Sequence, residues 1–305
     1  MQLTRRTPQD VNRTFGKLLV VTVLIVTTAV SLFPLFWMLS TAITPGSATI
    51  KTPPSLIPLP ANLLEAGTDL PSWIWERAYT PTLENFRELS QQTQGNIWRW
   101  LGNSAIVAIS ITVFHVLFDS MAGYAFARKT FPGRNLIFGL LLSTLMIPVQ
   151  VTLVPNFLLI SWLGLADSYL GVILPGFADV FGIFLMKQYM QTLPREIEDA
   201  ARVDGANEWQ VFWRIVLPLA KPAVATLAIF MFMRSWNNFL WPLIVLRTGA
   251  KYTLPVGVAT LQGEFSSNFG LFMAGAAVAA VPMIVFFLLF QRYFLGGIRI
   301  GALKG

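Results

Sequence analysis

The chain has 305 residues, 54% of them apolar and 12% charged, a balance that belongs to a protein embedded in lipid and excludes an ordinary soluble domain. Its net charge of +7 gathers at the ends of apolar runs, with no basic stripe interleaved with stacking aromatics, which excludes a nucleic-acid-binding surface. With no cysteine and a single histidine, His115, disulfides, thiolate chemistry and a histidine-built metal site are excluded as well.

Residues 1–17 carry Arg5, Arg6, Arg13 and Lys17 against Asp10 and read as a cytoplasmic segment anchoring a first membrane helix. Thr4-Arg5-Arg6 lacks the apolar and lysine positions that would follow in a twin-arginine export signal. Span one covers about Leu18–Ala42; its run is too long for a signal-peptide core and has no cleavage site. Residues 44–99 bring many prolines, an excess of acids and tryptophans at 73, 75, 98 and 100. They predict an external segment with short helices lying at the interface. It reads either as a surface for an external partner or as a passive loop.

Span two runs from about Leu101 to Ala127, and the turn after it, residues 128–134, carries Arg128, Lys129 and Arg134 with no acid. Span three is about Leu136–Trp162, crossed by Pro148 and Pro155, and span four is about Tyr169–Tyr189. Span five is about Leu219–Leu246, and span six about Leu271–Phe294, with Pro282 inside. Prolines deep in a span predict kinks whose freed backbone groups must be satisfied by neighbouring helices.

Lys and Arg are frequent in the N-terminal segment, in the 128–134 turn and in the tail (Arg292, Arg299, Lys304), absent from 163–168, and limited to Arg247 and Lys251 in 247–270. The positive-inside rule then places both termini in the cytoplasm and the 190–218 connection with them. The expected fold is all-α and polytopic: a cytoplasmic segment 1–17, a six-helix transmembrane domain 18–294, and a cytoplasmic tail 295–305.

Four ionisable side chains fall inside these spans: His115, Asp119, Asp179 and Arg234. Such groups are costly in lipid and turn toward the protein interior or a water-filled path. His115 and Asp119, four apart on one helical face, are expected to hydrogen-bond, and Asp179 and Arg234, at similar depth, to pair. They read either as structural pairing that fixes helix packing or as a proton relay or part of the substrate path. Asn103, Trp236, Asn237 and Asn238 are candidates for a solute path, since amides and an indole can bond hydroxyls and stack on a sugar ring; polar glue between helices is the alternative.

The 190–218 connection is the most structured polar stretch. Pro194 suits a first helical turn, and Glu196, Glu198 and Asp199 suit the positive end of a helix dipole. Gly205 ends this helix, and Asn207 with Gln210 three residues on reads as the cap of a second. Trp209, Phe212, Trp213 and Val216 fall at i, i+3, i+4 and i+7 and predict one apolar stripe suited to docking on a partner.

This stretch resembles the EAA loop of bacterial ABC-importer permeases, whose pattern is E-A-A, three residues, Gly, nine residues, then I-x-L-P. Here it reads Asp199-Ala200-Ala201, three residues, Gly205, nine residues, then Ile215-Val216-Leu217-Pro218. The one departure is Asp for the leading Glu, and Glu198 beside it is placed to take that role. Asp204-Gly205-Ala206, Trp236-Asn237-Asn238-Phe239-Leu240-Trp241-Pro242 and Gly301-Ala302-Leu303-Lys304-Gly305 resemble the carbohydrate branch of that family, and within it the smaller, maltose-G-like subunit.

The resemblance implies a type I importer permease in the bacterial inner membrane. It implies a second homologous permease, a dimer of ATP-binding subunits that hold ATP and Mg, and an extracytoplasmic solute-binding protein as partners. Glu198, Asp199, Ala200, Ala201, Asp204, Gly205, Trp209, Phe212, Leu217 and Pro218 would form the coupling contacts with the ATPase. The tail 301–305 would reach the ATPase, and the external 247–264 loop (Tyr252, Thr253, Leu254, Pro255, Gly257, Gln262, Glu264) the binding protein. In maltose-type relatives the other permease subunit makes most of the sugar contacts.

The chain itself has no G-x-x-x-x-G-K-[ST] phosphate loop, no G-x-S-x-G elbow and no catalytic constellation. It is therefore expected to be no enzyme, to bind no cofactor, and to receive its energy from a partner. The competing reading is an ion-coupled secondary transporter that uses the buried charges, against which stands the lack of an internal repeat. A disaccharide, a glycoside and glycerol phosphate all remain open as the solute.

Overall fold

A computed structural model describes residues 8–46, 57–59, 78–264 and 268–302. Among these residues the structure is helical, apart from one short parallel pairing of β1 (Ile57–Pro58) with β2 (Ala78–Tyr79). The chain divides into two compact units, Met1–Gln91 with Glu264–Ala277 and Gln92–Gly263 with Val278–Gly305.

In the first unit, helix α1 (Pro8–Ala42) runs unbroken through Pro34. Over Gly16–Ala42 its mean hydropathy is 2.5, and none of its most apolar window is buried within the chain. An apolar surface of that length left bare is solvated by lipid, not water. The end of α1 is held by polar bonds: Asn85 Nδ2 donates to the carbonyls of Ala42 and Thr44 at 2.9 and 2.8 Å, and the Ser40 and Tyr79 hydroxyls meet at 2.8 Å. These bonds satisfy carbonyls that a helix end leaves without partners. Asn85 sits on the short helix α2 (Glu84–Gln92), the one interfacial-length helix among the described residues of 44–99. Trp98 and Trp100 belong instead to the first turns of the next long helix, and Trp73 and Trp75 lie outside the described residues.

The second unit is built on helix α3 (Asn96–Arg128), which packs along α7 (Val180–Met190) and α10 (Lys221–Trp236). Glycines allow the approach of α3 and α7. A Cβ on Gly123 would lie 2.6 Å from Met186 Cβ, and one on Gly182 would collide with the Asp119 carboxylate. Small residues of this kind let membrane helices pack backbone against backbone. Met186, Met190, Leu227 and Met231 close the core behind them.

The remaining spans differ from straight helices. Helices α4 (Arg134–Thr144) and α5 (Val149–Trp162) meet at 99°. Pro148 starts α5 from an extended conformation with ψ 131° instead of kinking one helix, while Pro155 is carried inside α5. Helix α6 (Tyr169–Gly176) meets α7 at 44°, and the stretch Glu208–Leu219 (α9) meets α10 at 79°. The expected fifth span is divided again at Asn237–Phe239, before α11 (Leu240–Val245). The expected sixth is continuous, α13 (Phe269–Ala302), with Pro282 inside.

The 247–264 segment differs most from its expectation as a loop. It contains helix α12 (Leu254–Glu264), with Leu254, Val256 and Leu261 fully buried. Gly257 lies directly under the Trp100 ring, where any side chain would collide, and the Leu254 amide donates to Ser104 Oγ at 2.7 Å. Buried apolar positions and a satisfied first turn make this a packed element, not a free arm.

Three helices among the described residues are long and apolar enough to cross a membrane by themselves, and the three bent pairs meet the same test as pairs.

Candidate functional site

The 190–218 connection forms a helix–turn–helix with both ends fixed by backbone chemistry. Helix α8 (Arg195–Val203) starts just after Pro194, which occupies the N-cap. It closes in a Schellman turn: the Ala206 amide donates to Ala201 O at 2.9 Å and the Gly205 amide to Arg202 O at 3.1 Å, with Gly205 left-handed at φ 85°. Glycine is the residue that takes this conformation without a Cβ penalty. The next helix opens on a reciprocal capping box, Gln210 N to Asn207 Oδ1 at 2.9 Å and Asn207 N to Gln210 Oε1 at 2.8 Å. Beyond it the chain winds as a π turn over Val211–Val216, directly before Leu217 and Pro218. Proline has no amide hydrogen for the preceding turn, and π turns recur at functional sites.

That turn redistributes the expected stripe. Trp209 and Trp213 are 60% and 40% exposed, but Phe212 and Val216 are buried in the chain's own core, Phe212 against Tyr124. Phe212 is thus an internal anchor and not a docking contact. Glu198 is similarly corrected: it is 3% exposed and faces Arg128, at the end of α3, at 2.8 Å. The two atoms approach without hydrogen-bond alignment, so the contact is mainly Coulombic. Arg128 also donates to Leu193 O at 2.6 Å. Arg202 bonds Asp199, Glu198 and Glu208, and Tyr124 donates to Glu208 at 3.3 Å. Lys129 beside Glu208 holds its carboxyl below the ordinary range, against the opposing effect of burial and with help from Arg202.

The surface left bare carries Asp199, Ala200, Asp204, Trp209, Trp213 and Pro218, while Ala201 is buried and Leu217 half-buried. Two further exposed apolar side chains, Ile197 and Val203, extend it. Helical spacing alone did not single them out, because only contact with the rest of the chain decides which apolar side chains of a short amphipathic helix stay uncovered.

The four ionisable groups of the expected spans meet in the expected pairs. His115 Nδ1 and Asp119 Oδ2 are 2.8 Å apart, and Arg234 Nη1 donates to Asp179 Oδ2 at 2.7 Å. The pairs are joined by the Asp179 amide, which donates to Asp119 Oδ1 at 3.0 Å, while Asp179 Oδ1 caps α7 through the Phe181 amide at 2.9 Å.

A cavity of about 180 Å³ opens beside this cluster. His115, Asp179 and Arg234 line it, together with Asn156, Ser235, Asn238 and Trp241. Of the expected solute-path residues only Asn238 reaches it. Asn103 spends both amide hydrogens on Ala250 O and Tyr252 O, at 3.0 and 2.9 Å, and Trp236 is buried with Nε1 donating to Ala279 O. Asn237 bonds back to Met233 O in its own helix. Ser235, Trp241 and Asn156 were not singled out from sequence; the first two lie within six residues of Asn238, while Asn156, on α5, is brought in by the bends between spans.

Among the described residues no cluster of His, Asp and Glu could hold a metal ion.

A family model described as "Binding-protein-dependent transport system inner membrane component" matches residues 119–300. The chain is 44% identical over 226 residues to the arabinooligosaccharides transport system permease protein AraQ of Halalkalibacterium halodurans, covering 74% of this chain and 81% of the relative. It is 33% identical to the lactose transport system permease protein LacG of Rhizobium radiobacter, over 74% of this chain and 81% of the relative. It is 34% identical over 283 residues to the sn-glycerol-3-phosphate transport system permease protein UgpE of Escherichia coli O157:H7, with 91% and 94% covered. Its fold is similar to that of a solved chain from a bacterial ABC transporter involved in the import of the acidic polysaccharide alginate, with a TM-score of 0.77 and 24% identity, over 96% of this chain and all of the other.

Proposed function

The chain belongs to the binding-protein-dependent transport system inner membrane component family, and on that premise we propose that it is one permease subunit of an ATP-driven importer of a sugar or sugar-like solute. It forms half of the translocation path, beside a homologous second permease. Six spans cross the inner membrane with both termini in the cytoplasm: α1, α3, α13, the bent pairs α4–α5 and α6–α7, and α10 continued by α11, while α9 belongs to the cytoplasmic loop. Two copies of an ATP-binding subunit, which hold ATP and Mg, and an external solute-binding protein complete the transporter.

The observation that carries this reading is the shape of the 190–218 connection. One of its faces is locked to α3 through Phe212 and the Arg128–Glu198 pair, and the other leaves Trp209 and Trp213 bare. A joint that transmits force needs this arrangement: a rigid attachment to the spans and an uncovered apolar face for the partner that moves it. Closure of the ATPase dimer shifts the loop, and α9, which meets α10 at 79°, passes the shift to the span as a rigid body.

The test uses cysteine at position 209 or 213 in the assembled transporter, with a thiol crosslinker reaching the ATP-binding subunit. A crosslink from the cytoplasmic side whose yield changes with bound nucleotide is expected. Labelling of either position by an impermeant reagent from outside the cell would contradict the reading.

A further inference from the structure

A groove of about 550 Å³ runs between α3, α10 and α13 within the second unit, and its lining is apolar except at one end. Lys221, the first residue of α10, stands at that end. Lys129 and Lys251 each pair with an acid, but Lys221 is exposed and among the described residues no carboxylate meets it. Thr112, the other polar side chain of the lining, spends its hydroxyl proton on Ala108 O at 2.7 Å. Helices α10 and α13 run antiparallel here: Trp236 Nε1 donates to Ala279 O, and the Phe232 ring stacks on Phe286 with centroids 4.4 Å apart. Phe286 in turn meets Phe290 at 4.7 Å, so aromatic rings wall the groove from its deep end back toward Lys221.

We propose that this groove holds one acyl chain of an anionic phospholipid whose phosphate rests on Lys221. Length, polarity and charge point to the same occupant.

At a rise of about 1.5 Å per residue, Phe232 lies about 16 Å along α10 from Lys221. That is close to half of the roughly 30 Å hydrocarbon core of a bilayer. Lys221 follows the 190–218 loop directly, so on the permease reading it stands at the depth of the inner headgroups, and the groove then spans one leaflet. The volume falls within the roughly 300–1,000 Å³ of sites that take one small ligand, and Ala228 keeps the floor low midway along it.

An acyl chain needs no hydrogen bonds, and these walls offer none. A hydroxyl-bearing solute would give up bonds to water that the groove does not return. The lining includes no acidic side chain, so the charge of Lys221 is left for a ligand. A helix of another subunit would have to bring an acid to that place at the membrane surface, whereas an anionic phospholipid carries its phosphate at the head of its chains.

The test uses the full transporter, with its ATP-binding and solute-binding partners, in lipid nanodiscs. Phosphatidylglycerol or phosphatidylcholine carrying a diazirine midway along one acyl chain is added, activated by light, and its adducts on this chain are mapped by mass spectrometry. Adducts are expected on 225–232 and 286–290, about fivefold more from the anionic lipid, the effect of one lysine on an anionic headgroup. Unlabelled phosphatidylglycerol should compete, and glycerol phosphate at the same concentration should not. Lys221→Gln should bring the two lipids to parity. Ala228→Phe, which fills the floor, should remove adducts from both segments while the transporter still assembles.

Equal labelling by the two lipids, a preference that survives Lys221→Gln, or competition by glycerol phosphate alone would each overturn the proposal. Absence of adducts from both segments would overturn it too, and would mean that another subunit covers the groove. Failure of the permease reading has a separate signature, no ATP hydrolysis stimulated by a binding protein in the unmodified transporter, and leaves the contrast between the two lipids to be read as before.

Discussion

Arg234 Nη1 donates to Asp179 Oδ2 at 2.7 Å across 55 positions of sequence, and the same aspartate caps helix α7 with its other oxygen. One side chain therefore closes an ion pair and starts a helix. Exchanging the charges (Asp179→Arg with Arg234→Asp) should restore assembly lost in either single variant, but incompletely, because arginine cannot accept the Phe181 amide. Loss of an N-cap costs about 0.5–2 kcal/mol. Asp179→Asn, which keeps a cap oxygen, should be milder than Asp179→Ala. Yield and melting temperature of the detergent-purified chain report both; an exchange variant no better than the singles would refute the pairing.

The Arg128–Glu198 pair is buried on both sides. Removing one partner leaves the other charge uncompensated, a loss of about 3–5 kcal/mol, whereas replacing both with apolar residues of similar volume is often neutral. Arg128→Ala or Glu198→Ala should thus lower the melting temperature strongly and release the 190–218 loop to proteolysis. Arg128→Met with Glu198→Leu should restore the first and not the directional attachment, so that stability recovers while coupling of ATP hydrolysis to uptake stays impaired.

A Cβ at Gly205 would meet nothing within 4 Å, but the backbone there holds a φ of 85°. Substitution is therefore penalised through the backbone alone, by about 1–2 kcal/mol for an ordinary residue. Gly205→Asn should keep most transport, since Asn tolerates the left-handed region, and Gly205→Val should insert normally yet uncouple. Equal transport by both would show that the turn is not what positions Trp209 and Trp213.

Asp167 accepts bonds from the Thr248 hydroxyl, the Arg247 and Thr248 amides and Lys251 Nζ, and these hold its carboxyl far below the ordinary carboxylate range. A depressed folded pKa means the stabilisation is fully present above the unfolded value of about 4 and is lost as pH falls from there toward the folded one. Amide exchange over 247–252, taken relative to its intrinsic base-catalysed rate at each pH, should stay slow at neutral pH and rise only in strong acid. Asp167→Asn, which keeps the left-handed φ of 54° accessible, should raise it at every pH.

Local chemistry in this chain was legible in the sequence: the i, i+4 spacing of His115 and Asp119, the box of Asn207 and Gln210, the stop at Gly205, and the pairing of Asp179 with Arg234. Each of these rests on interactions within a few residues or on the scarcity of charge in lipid. What escaped was set by distant contacts. Pro148 starts a new helix while Pro34, Pro155 and Pro282 stay inside helices, and proline chemistry is the same at all four. Phe212 and Trp213 look alike as neighbours on a stripe, yet Tyr124 covers the one and leaves the other bare. Pro255 in the first turn of α12 was a legible helix start, but it stands in a segment whose burial depends on Trp100, more than 150 positions away.

The central claim, that work enters this chain through the 190–218 loop from an ATP-hydrolysing partner, is tested most directly by solute uptake into vesicles holding either the chain alone or the assembled transporter. Uptake by the assembled transporter should require ATP on the loop's side and the binding protein on the other, and persist when an ionophore collapses the proton gradient. Accumulation by the chain alone, driven by that gradient through the His115–Asp119 and Asp179–Arg234 groups, would contradict it.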